Sequence, residues 1–148
     1  MFIIKYIMGN SVSTNKINFE DLQGVLHKHK SHLIINTLGE DEQSCLITGT
    51  MDSKKEVGII NDLIKKGVSD INIIIYGKNS NDESIFKKNT SLYNLGFYNI
   101  YIYTGGLFEW MCLQDIYGEE NFPTTSKEAD ILKFRAPEKL NGLLLTNS

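Results

Sequence analysis

The chain contains little cysteine and little proline, with two residues of each among 148. Two cysteines, Cys45 and Cys112, are too few for the disulfide framework of a small secreted domain, and no spacing of cysteine and histidine matches a zinc site. This cysteine usage is typical of a reducing compartment, so we expect an intracellular, cytoplasmic protein. The sequence predicts no bound metal and no cofactor.

Long hydrophobic runs and an excess of basic charge are also missing. The apolar opening, residues 1–8, is interrupted by Lys5 and is too short to span a bilayer, so we expect no transmembrane segment. The formal net charge is −3, from 15 Lys and Arg against 18 Asp and Glu. Because there is no broad cationic surface to neutralise phosphates, we expect no nucleic-acid partner.

One amino-terminal pattern concerns membrane anchoring. Residues 8–13 match the M-G-x-x-x-S pattern of N-myristoylation, in which Gly9 would be the acceptor. Gly9 becomes the amino-terminal residue only if translation starts at Met8, so membrane anchoring depends on that start site. Counted from Met1, the pattern is internal, and we expect residues 1–17 to form a flexible leader.

The rest of the composition is that of one globular domain. Hydrophobic residues make up 41% of the chain and charged residues 22%, and a chain of this length buries roughly 70% of its unfolded surface when it folds. No repeat or low-complexity tract divides it. We therefore place a single domain at residues 18–137, between the leader and a carboxyl-terminal tail at residues 138–148.

Apolar spacing predicts helices and strands that alternate along this domain. Residues 71–76 form a nearly continuous β-branched run, which is typical of a strand buried on both faces. The other predicted strands are residues 32–36, 45–47 and 99–103, and the predicted helices are residues 18–26, 53–66, 83–95, 106–114 and 126–134. Strands separated by helices at this spacing indicate an α/β domain, with a central, mostly parallel sheet flanked by helices on both faces.

Residues 95–106 read LGFYNIYIYTGG and are followed by Trp110. This succession of helix end, strand, double-glycine turn and tryptophan resembles the rhodanese-like domain family. Residues 33–38 stand where that family has a strand ending in Asp-x-Arg, and residues 45–50 stand where it has Gly-His-Ile-x-Gly-Ala. The resemblance covers about residues 19–110 and implies a single rhodanese-like domain.

The resemblance also implies where the chemistry of such a domain would lie. In the family, a cysteine on the loop after the central strand carries sulfur as a persulfide, and backbone N–H groups at a helix N-terminus stabilise the anion. Here the cysteine position is Gly77, and the later Gly and Arg of the loop correspond to Ser80 and about Asp82. Because the nucleophile is missing, we expect a catalytically inactive module with a binding or regulatory role.

The same loop is the candidate binding site. Ligands gather at the carboxyl ends of parallel strands, and a helix N-terminus carries a positive partial charge. We expect the loop to contact a protein partner or, weakly, a small anion, because the acids at its end oppose the cation at its start. The binding loop comprises Gly77, Lys78, Asn79, Ser80, Asn81, Asp82 and Glu83, and its S-x-x-E spacing predicts a capping box between Ser80 and Glu83.

The alternative function is sulfur transfer from thiosulfate or a persulfide by a displaced cysteine, either Cys45 or Cys112. Both cysteines are expected to be small core hydrophobes, because neither lies at a helix N-terminus or beside a cation that would lower the thiol pKa.

Two further polar clusters are interpreted as surface. The histidines at 27, 29 and 32 would bind a metal only weakly, and we interpret them as a solvated helix end. We likewise interpret Asp115, Glu119 and Glu120 as surface acids.

Overall fold

Four parallel strands and four α-helices make up the fold in the computed structural model, which describes residues 13–28 and 31–140. The strands are β1 (Asn15–Ile17), β2 (His32–Asn36), β3 (Asn72–Tyr76) and β4 (Ile100–Tyr103). The helices are α1 (Phe19–His27), α2 (Glu56–Lys65), α3 (Ser84–Asn94) and α4 (Gly106–Tyr117), with 3₁₀ turns at Glu40–Glu42 and Ile131–Phe134. The sheet order is β1-β4-β3-β2.

Strand β3 is the interior strand that the β-branched run predicts. It lies between β4 and β2, and Ile74 is in register with Ile34 on one side and Tyr101 on the other. Its three isoleucines are buried, as expected for a strand covered on both faces. The prediction of a buried central strand is confirmed.

Successive side chains of β3 enter two different cores. Ile74 and Tyr76 pack in one core with Leu22 of α1 and Trp110 of α4. On the other face, Ile73 and Ile75 pack with residues of α2 and α3 such as Ile60 and Leu92. Helices therefore cover both faces of the sheet, which confirms the predicted α/β architecture.

Strand β1 corrects the predicted amino-terminal boundary. Residues 15–17, expected in the flexible leader, pair in parallel with β4, where Ile17 is in register with Tyr103. Ile17 also packs against the core that contains Trp110. A run of three residues is too short to show alternation, which is why its pattern gave no signal. Met8 and Gly9 lie outside the described residues.

Residues 45–47 do not form the predicted sheet strand. Ile47 makes an isolated antiparallel bridge with Thr124, and this bridge is separate from the four-stranded sheet. Its backbone N–H donates instead to the buried hydroxyl of Tyr76 at 3.1 Å. The segment is thus a covering loop attached to the end of β3.

The predicted helix at residues 126–134 is also wrong, since only Ile131–Phe134 forms a 3₁₀ turn. Thr125 has capping-box spacing to Glu128, which favours a helix start here, but Thr125 and Ser126 bind distant backbone instead. Thr125 accepts from the N–H of Leu46 at 3.0 Å, and Ser126 donates to the carbonyl of Ser44 at 2.8 Å. These long-range bonds hold the chain extended where local spacing indicates a helix.

Among the residues that the structure describes, no helix is both long and apolar enough to cross a membrane.

Candidate functional site

The loop at residues 77–83 joins β3 to α3 at the carboxyl edge of the sheet. Its first two carbonyls are held by the start of α4, which follows the neighbouring strand β4. Leu107 N donates to Gly77 O, and Phe108 N donates to Lys78 O, each at 2.9 Å. These N–H groups of the first helical turn are therefore occupied by protein backbone.

Gly106 makes this close approach between the two loops feasible. Its φ of 72° is in the left-handed region, and an added Cβ would lie 2.8 Å from Asn79 N and 2.9 Å from Gly77 O. Both the backbone conformation and the short distance require glycine. Gly106 therefore lets the start of α4 lie directly against the loop at residues 77–83.

Asn79 is a structural residue of the loop. Its side chain is buried, and the amide nitrogen donates to Phe134 O at 3.0 Å while Oδ1 accepts from Asn81 N at 2.9 Å. Because both ends of the amide bind within the protein, this side chain does not face a partner. It fixes the loop to the 3₁₀ turn at Ile131–Phe134.

The Asp82 carboxylate occupies the N–H groups that the loop would otherwise present to an anion. Oδ2 accepts from Lys78 N at 2.9 Å, and Oδ1 accepts from Ser84 N at 3.0 Å. The Ser84 hydroxyl lies 2.5 Å from the same Oδ1. Asp82 thus caps the start of α3 and corrects the predicted capping box, whose members Ser80 and Glu83 are exposed.

This carboxylate remains ionised at neutral pH. Partial burial raises the pKa of Asp82, but hydrogen bonds from the Lys78 N–H and from Ser84, with the Lys78 charge, outweigh it and leave the pKa below its ordinary value. The loop therefore contains its own anion, and an incoming anion would be repelled by it.

Lys78, the cation at the start of the loop, is also paired within the protein. Its Nζ lies 2.6 Å from Oε2 of Glu42, in the 3₁₀ turn that follows β2. The hydrogen bond from Lys78 lowers the pKa of Glu42 below its usual range. Of the predicted binding loop, the exposed residues are Ser80, Asn81 and Glu83.

Gly77, at the position where the resemblance places the cysteine, lies directly against the Asp82 carboxylate. An added Cβ would lie 2.5 Å from Oδ2 of Asp82 and 3.1 Å from Cγ2 of Ile85. A residue with a side chain at position 77 would therefore require the Asp82 carboxylate to move.

The two cysteines lie outside this loop. Cys45 is 2% exposed and its thiol donates to Ser126 O at 3.3 Å, which confirms its place in the core. Cys112 is only partly buried on α4, so the expectation of a core residue is wrong for it. Burial raises the pKa of the Cys112 thiol, as do the nearby Asp115 and Glu109 carboxylates, and the reactive thiolate is disfavoured.

The histidines form no metal site in the described ranges 13–28 and 31–140, where no group of three His, Cys, Asp or Glu side chains is placed to hold an ion. His27 is exposed at the end of α1 and His32 begins β2. The third histidine, His29, falls outside the described residues.

Sequence reasoning missed three residues that complete the site. Thr37 follows β2, and its hydroxyl lies 2.7 Å from that of Ser84. Its position was predictable, because the carboxyl ends of neighbouring parallel strands meet at one edge. Glu42 and Phe134 reach the loop from turns with no local signal that would place them there.

Comparison with known proteins identifies the fold. The sequence matches no protein-family model and no curated protein. Among solved structures, it is similar to Ygr203w, a yeast protein tyrosine phosphatase of the rhodanese family, with a TM-score of 0.53, 16% identity and coverage of 84% of this chain and 100% of that one. It is also similar to the rhodanese-like domain of the Alr3790 protein from Anabaena sp., with a TM-score of 0.50, 18% identity and coverage of 86% and 87%.

A third similar structure is EanB in complex with hercynine, with a TM-score of 0.54 and 17% identity. The match covers 90% of this chain but 32% of EanB. The chain thus has the rhodanese-like fold, as the resemblance at residues 95–110 indicates. At these identities the likeness defines the fold, and the function has to be argued from the site.

We predict that Gly77→Ala destabilises the protein by about 1–3 kcal/mol, because the new Cβ overlaps the Asp82 carboxylate. Asp82→Ala should cost about 1–2 kcal/mol through loss of the cap. In the double variant, the cost of Gly77→Ala should fall, because the overlapping carboxylate is gone. Urea denaturation of the four proteins measures this coupling in the free energy of unfolding.

The matched control is Gly24→Ala in α1, where an added Cβ meets no atom within 4 Å. That variant should be neutral or more stable by up to about 1 kcal/mol. Strictly additive effects of Gly77→Ala and Asp82→Ala would contradict the direct contact between the two sites.

We also predict a pH dependence that originates at Asp82. The pKa of its carboxyl is lowered by folding, so the ionised group stabilises the fold above its unfolded pKa of about 3.9, and this contribution is lost as the pH falls through the lower folded value. The difference in unfolding free energy between wild type and Asp82→Asn should have its maximum value at neutral pH and should decrease below about pH 4. Denaturation curves at a series of pH values measure it. For the uncharged control Asn81→Ala the difference should stay constant, and an equally constant difference for Asp82→Asn would refute the assignment.

Proposed function

We propose that this rhodanese-like domain is a catalytically inactive recognition module that contacts a protein partner through the loop at residues 77–83. The observation that carries the proposal is the contact at Gly77, where a Cβ would lie 2.5 Å from the Asp82 carboxylate. The Asp82 carboxylate occupies the space that a side chain at position 77 would enter. Residues 77–83 contain no cysteine that could act as the nucleophile.

The charges around the loop favour a protein over a small anion. Lys78 N–H and Ser84 N–H already donate to Asp82, and the Lys78 ammonium is paired with Glu42. A free sulfate or thiosulfate would have to displace these bonds and approach a carboxylate. Three exposed polar side chains, Ser80, Asn81 and Glu83, remain for hydrogen bonds with a partner surface.

Sulfur transfer by a displaced cysteine is the competing function. The observation in its favour is the partial exposure of Cys112, since a sulfur carrier has to be reachable by its donor. The raised pKa of that thiol opposes it, and so does the burial of Cys45. We therefore rank this function second.

We expect the purified protein to show no thiosulfate:cyanide sulfurtransferase turnover above background and no persulfide by mass spectrometry after incubation with thiosulfate. Cys45→Ser and Cys112→Ser should behave as the wild type does. Turnover that disappears in one of these variants, while its unfolding midpoint is unchanged, would establish the competing function and overturn the inactive module.

For the binding surface, we expect sulfate and thiosulfate titrations, followed by NMR of the labelled protein, to give small, non-saturating shifts at residues 77–84. Asp82→Asn should strengthen the response because it removes the internal charge. Tight, saturable binding to the wild-type loop would contradict an internally filled site.

The protein contact is tested by a photoreactive residue placed at exposed position 81 and, as the control, at exposed position 66 on the end of α2. Reproducible crosslinks to one protein from position 81 alone would support recognition by the loop. Crosslinks to partners from the control position and none from the loop would overturn the assignment.

A further inference from the structure

A second surface, remote in sequence from the loop at residues 77–83, has the chemistry of a cation site. A groove of about 430 Å³ lies between α1 and α4. Its lining residues are Phe19, Gln23, Leu113, Tyr117, Asn121 and Phe122. We call it the aromatic groove, and the site described above uses none of these residues.

Three aromatic rings form its walls. Phe122 is buried at the base, with its ring centroid 5.7 Å from that of Phe19 and 6.2 Å from that of Tyr117. Tyr117 is 62% exposed, so part of its ring is open to a ligand. Aromatic faces carry a negative potential and attract cations that lie within about 6 Å of the ring centre.

The polar lining consists of two amide side chains, each of which already donates one N–H to a backbone carbonyl. Gln23 Nε2 donates to Asn121 O at 2.8 Å, and Asn121 Nδ2 donates to Tyr117 O at 3.0 Å. The other end of each amide is a carbonyl oxygen, which accepts hydrogen bonds and cannot donate them. This lining suits a ligand that brings N–H donors.

Exposed acidic residues lie next to lining residues in the sequence. Glu20 follows Phe19 on α1, and Glu119 and Glu120 lie in the turn between Tyr117 and Asn121; all three are exposed. Glu119 lies 3.3 Å from the Lys127 ammonium in an exposed pair. Exposed pairs of this kind are weak and exchange readily, so the pair does not close the site to another cation.

We propose that the aromatic groove binds an arginine side chain of a protein partner. A guanidinium is planar, stacks on aromatic faces, and carries five N–H donors for the amide and carboxylate oxygens. A neutral apolar side chain would contact the rings but would not pair with the neighbouring acidic residues. The proposal does not depend on the function of the 77–83 loop, since the two surfaces share no residue.

The test uses a short peptide of alternating Arg and Gly and a matched peptide with citrulline in place of Arg, which keeps the shape and removes the charge. We expect the Arg peptide to shift the amide resonances of the lining residues and the indole N–H of Trp110, whose ring centroid is 5.0 Å from that of Phe122. Binding should weaken at high salt. The citrulline peptide should bind several-fold more weakly.

Variants locate the site. Tyr117→Ala should weaken binding of the Arg peptide about two- to fivefold, the effect of one exposed cation–π contact. Glu20→Gln combined with Glu120→Gln should reduce both the affinity and its salt dependence. The control Tyr98→Ala, at a tyrosine with 63% exposure, should change nothing. Equal binding of the two peptides, shifts confined to residues 77–84, or an unchanged affinity in Tyr117→Ala would each overturn the proposal.

Discussion

The capture of backbone N–H groups by the Asp82 carboxylate is the interaction on which the site depends. The start of a helix after a parallel strand presents unpaired N–H groups and a positive partial charge. Here one side chain from within the loop accepts from both Lys78 and Ser84. In many α/β proteins such a helix N-terminus binds a ligand. Here it binds a side chain of the protein itself and so stabilises the fold.

Other features of the loop follow from that capture. The carboxylate lies beside Gly77, so a side chain at this position would have to displace it. Lys78, whose N–H binds Asp82, directs its ammonium to Glu42 on a different turn. The exposed residues of the loop are Ser80, Asn81 and Glu83, of which only Glu83 is charged.

Much of the architecture was predictable from local patterns, and the exceptions have identifiable physical causes. The β-branched run at residues 71–76 and the double glycine at 105–106 placed β3 and the loop contact correctly, because burial and backbone conformation restrict residue type strongly. Residues 126–134 were predicted as a helix because capping signals are local, whereas Thr125 and Ser126 bind backbone about 80 positions away.

The candidate site was predictable in position and less so in detail. Residues 77–83 are contiguous, so the topology alone places them at one edge of the sheet. Which residue caps α3 was not predictable, because both Ser80 and Asp82 carry capping side chains and the choice depends on the backbone path. The partners Glu42 and Phe134 come from turns whose positions depend on tertiary packing.

The shape of the loop does not depend on its exposed side chains, because the N–H groups of Leu107 and Phe108 donate to the backbone carbonyls of residues 77 and 78. Backbone donors and acceptors are the same in every residue type except proline. The side chains at positions 80, 81 and 83 can therefore be replaced by those of other non-proline residues without loss of these backbone hydrogen bonds. Substitution there changes the chemistry of the exposed surface while the backbone of the loop stays in place.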